Sequence, residues 1–257
     1  MEVARMLIER GANFSAQDKD RKTPLHLVPT WGNVEAARTL IEGGANVSAQ
    51  HEDGKTPLHV ASAWGNVEEA RTLIKHNANI SAQDKNRRTP LHLASHSGRV
   101  DVVRMLIERD ANVSAQDKYG MTPLHLASEW GHVEVARMLV EGGANVSAQR
   151  EDGKTPLHRA SEWGHVHVAR MLIECDANVS AQDKDGKTPL HLALRSGHVE
   201  VARLLIERGT NVSAQDKDGK TPLHLASERG HVEVAHMLIE RDANSEVSFG
   251  PWNNDRH

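Results

Sequence analysis

The chain has 257 residues, of which 38% are hydrophobic and 3% aromatic, and its formal net charge is −4 with both signs interspersed. This balance excludes a general attraction to nucleic acid or to an anionic membrane surface. No apolar run reaches the roughly 18–20 residues that a membrane-spanning helix requires, and the lone Cys175 excludes an intrachain disulfide. The first residues also lack the layout of a signal peptide, so we expect an intracellular protein of the reducing cytoplasm. We further expect a monomer with no membrane or nucleic-acid partner.

A tetrapeptide, Thr-Pro-Leu-His, recurs along the chain with a constant spacing of 33 residues. Its copies start at Thr23, Thr56, Thr89, Thr122, Thr155, Thr188 and Thr221. A fixed period of this length indicates stacked repeat units, each packed mainly on its neighbours. In the fourth copy we expect Thr122 to cap a helix and Pro123 to occupy its first position. His125 is expected to hold the preceding turn through side-chain hydrogen bonds, which is a structural role.

Taken in order, the chain opens on residues 1–17, which match only the second half of a unit. Seven units follow, at 18–50, 51–83, 84–116, 117–149, 150–182, 183–215 and 216–244. Residues 245–257 leave the pattern and form a C-terminal tail. Its Phe249 and Trp252 either cover the last repeat or belong to a disordered segment.

Each unit is predicted to hold two short helices joined by a turn at an unvarying glycine, such as Gly131, and a linking hairpin whose turn a residue such as Gly153 supplies. Arg21 and Arg87 replace the hairpin glycine and should cost up to about 1 kcal/mol each if φ is positive there. Pro29 lies inside a first helix and should kink or shorten it. After the second helix, glycine alternates with Asn or Asp, including Asp242, in the left-handed region.

The segments Gly120-Met-Thr-Pro-Leu-His-Leu-Ala127 and Gly131-His-Val-Glu-Val135 resemble the ankyrin repeat family in both pattern and period. The resemblance covers residues 1 to about 244. It implies an all-α ankyrin-type solenoid of helix-turn-helix units with projecting β-hairpin loops. It also implies a protein-binding role, in which a partner meets the hairpin tips and the exposed face of the first helices along a concave groove.

The residues that vary between repeats at those positions are the candidate partner-binding set. They are Trp31, Trp64, His96, Tyr119, Met121, Glu129, Trp130, Arg159, Glu162, Trp163, Arg195 and Arg229. Tyr119, Met121, Trp130 and Trp163 are the predicted centre, because aromatic side chains and arginine dominate interface energetics. Arg159, which stands where other repeats have Leu or Val, is expected to reach out of the core and stack on Trp163. The alternative is that each Trp simply packs over its own glycine turn and the neighbouring repeat.

Catalytic, cofactor and metal sites are not expected. The seven motif histidines should lie about 10 Å apart, too far to share one zinc ion. His165 and His167 form the one tight pair, for which a metal role is the minor reading, and the lone Cys175 lies near the end of a second helix with no fixed base. The Asn-x-Ser triplets, such as the one at Asn145, are better explained as repeated turn chemistry than as glycosylation sites.

The sequence therefore favours a non-catalytic module that binds a protein or peptide. Two alternatives stay open: a passive spacer that sets the distance between other domains, and an engineered or reconstructed repeat scaffold without a natural partner. An enzymatic role ranks behind all three.

Overall fold

The computed structural model describes residues 11 and 13–247, without the side chains of Trp31 and of residues 243–247. Within this part of the chain, fourteen helices are present and no β-strand is assigned. The chain divides into two compact units, Met1–Asn145 and Val146–His257.

The first unit contains four helix pairs. They are α1 (Pro24–Trp31) with α2 (Val34–Glu42), α3 (Pro57–Trp64) with α4 (Val67–Lys75), α5 (Pro90–His96) with α6 (Val100–Ile107), and α7 (Pro123–Glu129) with α8 (Val133–Glu141). The second unit contains three. They are α9 (Pro156–Glu162) with α10 (Val166–Glu174), α11 (Pro189–Ser196) with α12 (Val199–Glu207), and α13 (Pro222–Glu228) with α14 (Val232–Val247).

Within each unit, first helices pack on first helices and second helices on second helices. Thus α3 contacts both α1 and α5, whereas α4 contacts α2 and α6, and the same layering joins α9, α11 and α13. Helices of only seven to nine residues are too short to be stable alone in water, so the layers supply their stability. The core between them is small and aliphatic, with Leu58, Leu91 and Leu106 at no more than 1% exposure. The predicted stack of helix pairs is confirmed.

The Thr-Pro-Leu-His motif starts the first helix of every repeat, as predicted. Thr122 precedes the helix with extended backbone, Pro123 takes the first turn, and the Thr122 hydroxyl accepts from the backbone N–H of His125. In return, Nδ1 of the same histidine accepts from the backbone N–H of Thr122 at 3.2 Å and lies 2.9 Å from its hydroxyl. This reciprocal cap satisfies donors that a helix start would otherwise leave unpaired.

The motif histidine also bonds to the next repeat, a contact that sequence reasoning did not predict. Its Nε2 donates to a backbone carbonyl 29 residues further on, in the pairs His26–Lys55, His59–Arg88, His92–Met121, His158–Lys187 and His191–Lys220. Because a carbonyl only accepts, Nε2 carries the ring proton, which leaves Nδ1 free to serve the cap. Burial lowers the pKa of His59 to about 4 and lowers the pKa of the other four as well.

The linking segments form tight turns, and the part of the chain described contains no strand pairing of the kind that the predicted β-hairpins imply. In each turn the ends are joined by one backbone bond, as between the N–H of Asp183 and the carbonyl of Lys187. Neighbouring tips are bonded as well, since the N–H of Lys184 donates to the carbonyl of Asp152 at 2.9 Å. Gly153 has φ +82°, and a Cβ there would lie 2.9 Å from the backbone nitrogen of Lys184.

Several residues differ from the repeat pattern, and the structure shows their backbone conformation. Arg21 and Arg87 have φ of 61° and 60°, so the predicted left-handed backbone is confirmed at both. Pro29 lies inside α1, and the helix keeps eight residues, so it is not shortened, and the kink expected as the alternative stays a prediction. The amide nitrogen of Asn66 donates to the Pro29 carbonyl.

Asp242 was wrongly predicted as a left-handed residue, because α14 continues through it to Val247. Phe249 and Trp252 lie outside the described residues.

Candidate functional site

In the first unit, exposed indoles stand at the ends of first helices. Trp64 ends α3 and is 55% exposed, and Trp130 follows α7 and is 51% exposed. The ring of Trp130 meets the exposed ring of His96 edge to face, with 4.7 Å between centroids. An edge-to-face contact between two aromatic rings is a favourable arrangement that helps to fix the orientation of both. About half of each of these tryptophans is thus exposed.

The predicted tip pair, Tyr119 and Met121, separates in the structure. Oδ1 of Asp117 accepts from the backbone N–H of both residues, at 2.8 and 2.9 Å, and so holds the turn closed. Tyr119 is 49% exposed, with the ammonium of Lys118 at 4.8 Å from the ring centroid. Met121 is only 6% exposed, and its carbonyl accepts from His92. Its side chain therefore does not belong to the exposed surface for which the sequence suggested it.

In the second unit, one carboxylate collects three cations. Glu162, at the end of α9, lies 2.6 Å from Nη1 of Arg159 and 3.2 Å from Nζ of Lys154. Nη2 of Arg195, at the end of α11, lies 2.9 Å from its other oxygen. Burial alone would raise the pKa of Glu162, but the charges and hydrogen bonds of Lys154, with the charges of Arg159 and Arg195, lower it below its usual value. Glu162 is therefore ionised at neutral pH.

Arg159 connects this cluster to an exposed aromatic ring. The residue is only 9% exposed, and its guanidinium carbon lies 5.9 Å from the ring centroid of Trp163, which is itself 53% exposed. The predicted stacking of Arg159 on Trp163 is thus present at the outer limit of a cation–π contact. A buried arginine needs charged or polar partners to offset its lost hydration, and Glu162 supplies one.

These observations can be set beside the known families. A family model described as "Ankyrin repeats (3 copies)" matches residues 1–84, 78–150, 115–183, 144–216 and 175–248. The chain belongs to the ankyrin repeat family. Ankyrin repeats are generally protein-interaction modules without catalytic activity. Among the curated proteins, none matches the chain.

For this ankyrin array, the predicted binding set falls into two groups. Trp64, His96, Tyr119, Glu129 and Trp130 belong to the first unit, and Arg159, Glu162, Trp163, Arg195 and Arg229 to the second. Of these, Glu129 is half-buried and Arg229 is exposed. Trp31 ends α1, and its side chain lies outside what the structure describes. The structure brings together His96 with Trp130, and Arg159 with Glu162, Trp163 and Arg195.

Lys154 is a member of the charged cluster that the sequence analysis missed. It lies just before the Thr-Pro-Leu-His motif, eight residues ahead of Glu162. The same spacing joins Lys220 to Glu228, at 2.7 Å. This spacing therefore predicts an ion pair. It joins a lysine just before the motif to a glutamate at the end of the following helix.

Two further kinds of feature, a metal site and a membrane-spanning helix, were looked for among the described residues of the ankyrin array. Across residues 11 and 13–247, no three His, Cys, Asp or Glu side chains come together as a metal site would require. In the same part of the chain, no helix has the length and apolar character needed to cross a membrane.

Proposed function

We propose that the chain is a non-catalytic module that binds a protein or peptide partner through the ends of its first helices and the tips of its turns. The observation that carries this proposal is the outward position of four aromatic side chains, Trp64, Tyr119, Trp130 and Trp163, each about half exposed. Aromatic side chains of this kind, beside arginine, are the residues that contribute most to interfaces. Burying their remaining apolar surface against a partner would be favourable.

The supporting scaffold suits this role because it is ordered before any partner binds. Each first helix is capped by its Thr and His, and in five repeats the histidine is also bonded onward to the next repeat, as His59 is to Arg88. The ring of Trp130 is oriented by His96, and Trp163 lies against the buried Arg159. Little ordering entropy would then be lost on binding, which favours affinity. A monomeric, cytoplasmic protein is part of the same proposal, and the lone Cys175 supports a reducing compartment.

The test uses one purified partner, obtained by affinity capture on the full chain and identified by mass spectrometry. Trp64→Ala, Trp130→Ala and Trp163→Ala are compared with Ile239→Ala, which removes an equally exposed apolar side chain (54%) from the second helix α14. We expect at least one Trp variant to weaken binding by about 30-fold, the effect of a hot-spot residue, because each indole would lose its buried contact area. The control should leave the affinity unchanged within about twofold.

Equal affinities for all four variants, with helicity preserved in circular dichroism, would contradict the proposal. The passive-spacer alternative would then gain support, because a spacer has no residue whose loss weakens a contact.

A further inference from the structure

We infer that two neighbouring turn tips of the first unit recognise an acidic peptide segment through three exposed cations, Lys85, Arg87 and Lys118. The third tip comprises residues 84–88, and the fourth tip comprises residues 117–121. This inference rests on the proposed function and names the chemistry of the partner. Its basis is a carboxylate that each of the other tips contains and that these two tips lack.

Hydrogen bonds hold the two tips side by side and fix their shape. The backbone N–H of Lys118 donates to the carbonyl of Asn86 at 2.9 Å, which joins the fourth tip to the third. Within the third tip, Oδ1 of Asp84 accepts from the backbone N–H of Asn86 and of Arg88. Asp117 closes the fourth tip in the same way. The three cations therefore stand on turns of defined conformation.

The one carboxylate of the third tip is already occupied. Asp84 is 5% exposed, and its Oδ2 lies 2.9 and 2.8 Å from two guanidinium nitrogens of Arg88. Burial alone would raise the pKa of Asp84, but the hydrogen bonds and the charge of Arg88 lower it below its usual value. Asp84 and Arg88 thus form a pair of their own, which leaves Lys85 and Arg87 without a carboxylate in the tip.

In the five other tips, the third residue is an aspartate. These residues are Asp20, Asp53, Asp152, Asp185 and Asp218. Oδ2 of Asp185 lies 3.3 Å from Nζ of Lys187 in its own tip, and its Oδ1 lies 3.6 Å from Nζ of Lys217 in the next tip. An aspartate at this position can thus pair with lysines on both sides. The third and fourth tips carry Asn86 and Tyr119 there instead.

Lys118 shows the effect of the missing carboxylate. Its backbone N–H is bonded to the carbonyl of Asn86, just as that of Lys217 is bonded to the carbonyl of Asp185. The amide side chain of Asn86 carries no charge, so Lys118 lacks the pairing that Lys217 has. A carboxylate brought by a partner would supply this pairing from outside the chain.

All three cations are available to a partner. Among the residues that the structure describes, Lys85, Arg87 and Lys118 take part in no ion pair. Asp53 accepts from the backbone N–H of Lys85 at 2.9 Å, but it does so through its carbonyl. The ammonium of Lys118 lies 4.8 Å from the ring centroid of Tyr119, a contact that leaves its N–H donors for an incoming carboxylate.

Arg87 stands where five other repeats carry glycine. Its φ of 60° lies in the left-handed region, which is unfavourable for any side chain, so the scaffold gains nothing from an arginine there. Its contribution is therefore to the surface. Arg21 occupies the same position of the first tip with φ 61°, but that tip retains Asp20, which pairs with Lys22 at 3.1 Å. Arg21 is thus a matched control for Arg87.

The surroundings of the two tips favour a short acidic peptide over a nucleic acid. The second tip carries Glu52 and Asp53 and adjoins the third through the backbone of Lys85, so a long polyanion laid along the tips would meet these carboxylates. Tyr119 is 49% exposed and adds an apolar contact beside Lys118. A segment that combines Asp or Glu with an apolar side chain would use both kinds of contact.

The experiment uses the full chain and three fluorescein-labelled peptides of about twelve residues, read by fluorescence anisotropy. The peptides share their Leu, Trp, Gly and Ser positions and differ only in carrying Glu, Gln or Lys at four fixed positions. We expect the Glu peptide to bind about tenfold tighter than the Gln peptide, because several individually weak exposed pairs are gained together. The Lys peptide should bind weakest, and added salt should reduce the difference between the Glu and Gln peptides.

Two replacements restore residues that other repeats carry, so they change the charge of the tip without disturbing the fold. Arg87→Gly removes one cation, and Asn86→Asp returns the missing carboxylate. Each should reduce the preference for the Glu peptide about threefold. Arg21→Gly makes the same change of charge at the same backbone conformation in the first tip, and should leave the preference intact. Circular dichroism and a thermal melt confirm that each variant is folded.

The outcomes distinguish this inference from the proposed function. Equal binding of the Glu and Gln peptides, or no binding of any peptide, would overturn the acidic specificity. Equal losses in Arg87→Gly and Arg21→Gly would also overturn it, because only bulk charge would then act. The same holds if a single-stranded oligonucleotide displaces the Glu peptide at a lower concentration than the unlabelled Glu peptide does. In each case the proposed function is decided separately, by the tryptophan variants and the captured partner.

Discussion

Two repeats of this protein have first helices that differ at one residue only. Helix α7 reads Pro-Leu-His-Leu-Ala-Ser-Glu and α9 reads Pro-Leu-His-Arg-Ala-Ser-Glu, and each is followed by Trp-Gly-His. In α7, Leu126 is buried and Trp130 rests against His96. In α9, Arg159 is buried in the same position and turns its guanidinium to Glu162 and Trp163. The same backbone thus presents an aromatic contact in one repeat and a charged cluster in the other.

The comparison shows how a repeat protein separates stability from recognition. The caps, the histidine bonds and the leucines recur, and they form the same structure in both repeats. Few positions determine which side chains a partner would contact. A single Leu-to-Arg difference is enough to change the chemistry of a surface. The features that the two repeats share can be tested first, and the residues in which they differ can be tested next.

Acid should produce the largest effect, because it acts on the histidines that recur in every repeat. With its pKa lowered to about 4, folded His59 binds fewer protons than the unfolded chain between pH 6.5 and 4. Its contribution to stability is therefore complete above pH 6.5 and is lost as the pH falls through that window, by about 3 kcal/mol. His26, His92, His158 and His191 act in the same direction. Urea midpoints measured between pH 7.5 and 4.5 should fall steadily.

A pair of variants identifies the groups responsible for the acid effect. His59→Gln should flatten the dependence of the unfolding free energy on pH. His224→Gln changes the motif histidine of the last repeat, which is exposed, and serves as the matched control variant. A pH profile that neither replacement alters would mean that other groups cause the loss.

Glu162→Gln should have the next largest effect, and it tests the part in which α9 differs. The amide keeps the shape of the side chain but removes the charge that pairs with the buried Arg159, Lys154 and Arg195. Removing this negative charge from beside the buried Arg159 should reduce the free energy of unfolding by about 3 kcal/mol. Denaturant titration at pH 7 provides the measurement. The control is Glu228→Gln, whose exposed pair with Lys220 should contribute much less, because solvent screens it. Losses of equal size would show that burial of the cluster adds nothing.

Arg159→Leu should have the smallest effect, and of opposite sign. The change makes α9 identical to α7, and the position is apolar elsewhere, since Leu126 and Leu192 are 9% and 0% exposed. Glu162 would keep Lys154 and Arg195 as partners. We expect a gain of about 1 kcal/mol in the free energy of unfolding, measured by the same titration, because a buried charge is replaced by an aliphatic side chain. The reverse change, Leu126→Arg, should destabilise. A loss on Arg159→Leu would instead show that the arginine contributes net stability.

The period of 33 residues was sufficient to predict the helices, because their start and end signals are local. Thr-Pro at a helix start and glycine at its end act within one turn of backbone, as at Thr122 and Gly131. Asp242 shows the limit of this reasoning. It occupies a position that is left-handed at Asn77 and Asp176, but α14 continues through it.

The site was harder to predict, because burial of a side chain depends on contacts between repeats. Met121 was expected at the surface, but the turn held by Asp117 and the bond from His92 bury it. The environment of Glu162 requires Lys154 and Arg195, which come from two other segments of the chain. Glu69 is a further example. It stands in the place of Val102 and Val135 and is 1% exposed, and this burial raises its pKa.

The bond from five of the motif histidines to the carbonyl 29 residues later has a consequence for how such an array tolerates a change in length. Donor and acceptor are separated by a fixed distance along the chain, so excision of 33 consecutive residues inside one unit rejoins a histidine to an equivalent acceptor. Excision of a length that is not a multiple of 33 residues, between a histidine and its acceptor, shifts the acceptor out of register and leaves a buried imidazole without that bond. Gain and loss of whole modules is therefore the route by which this chain can change its length without refolding its interior.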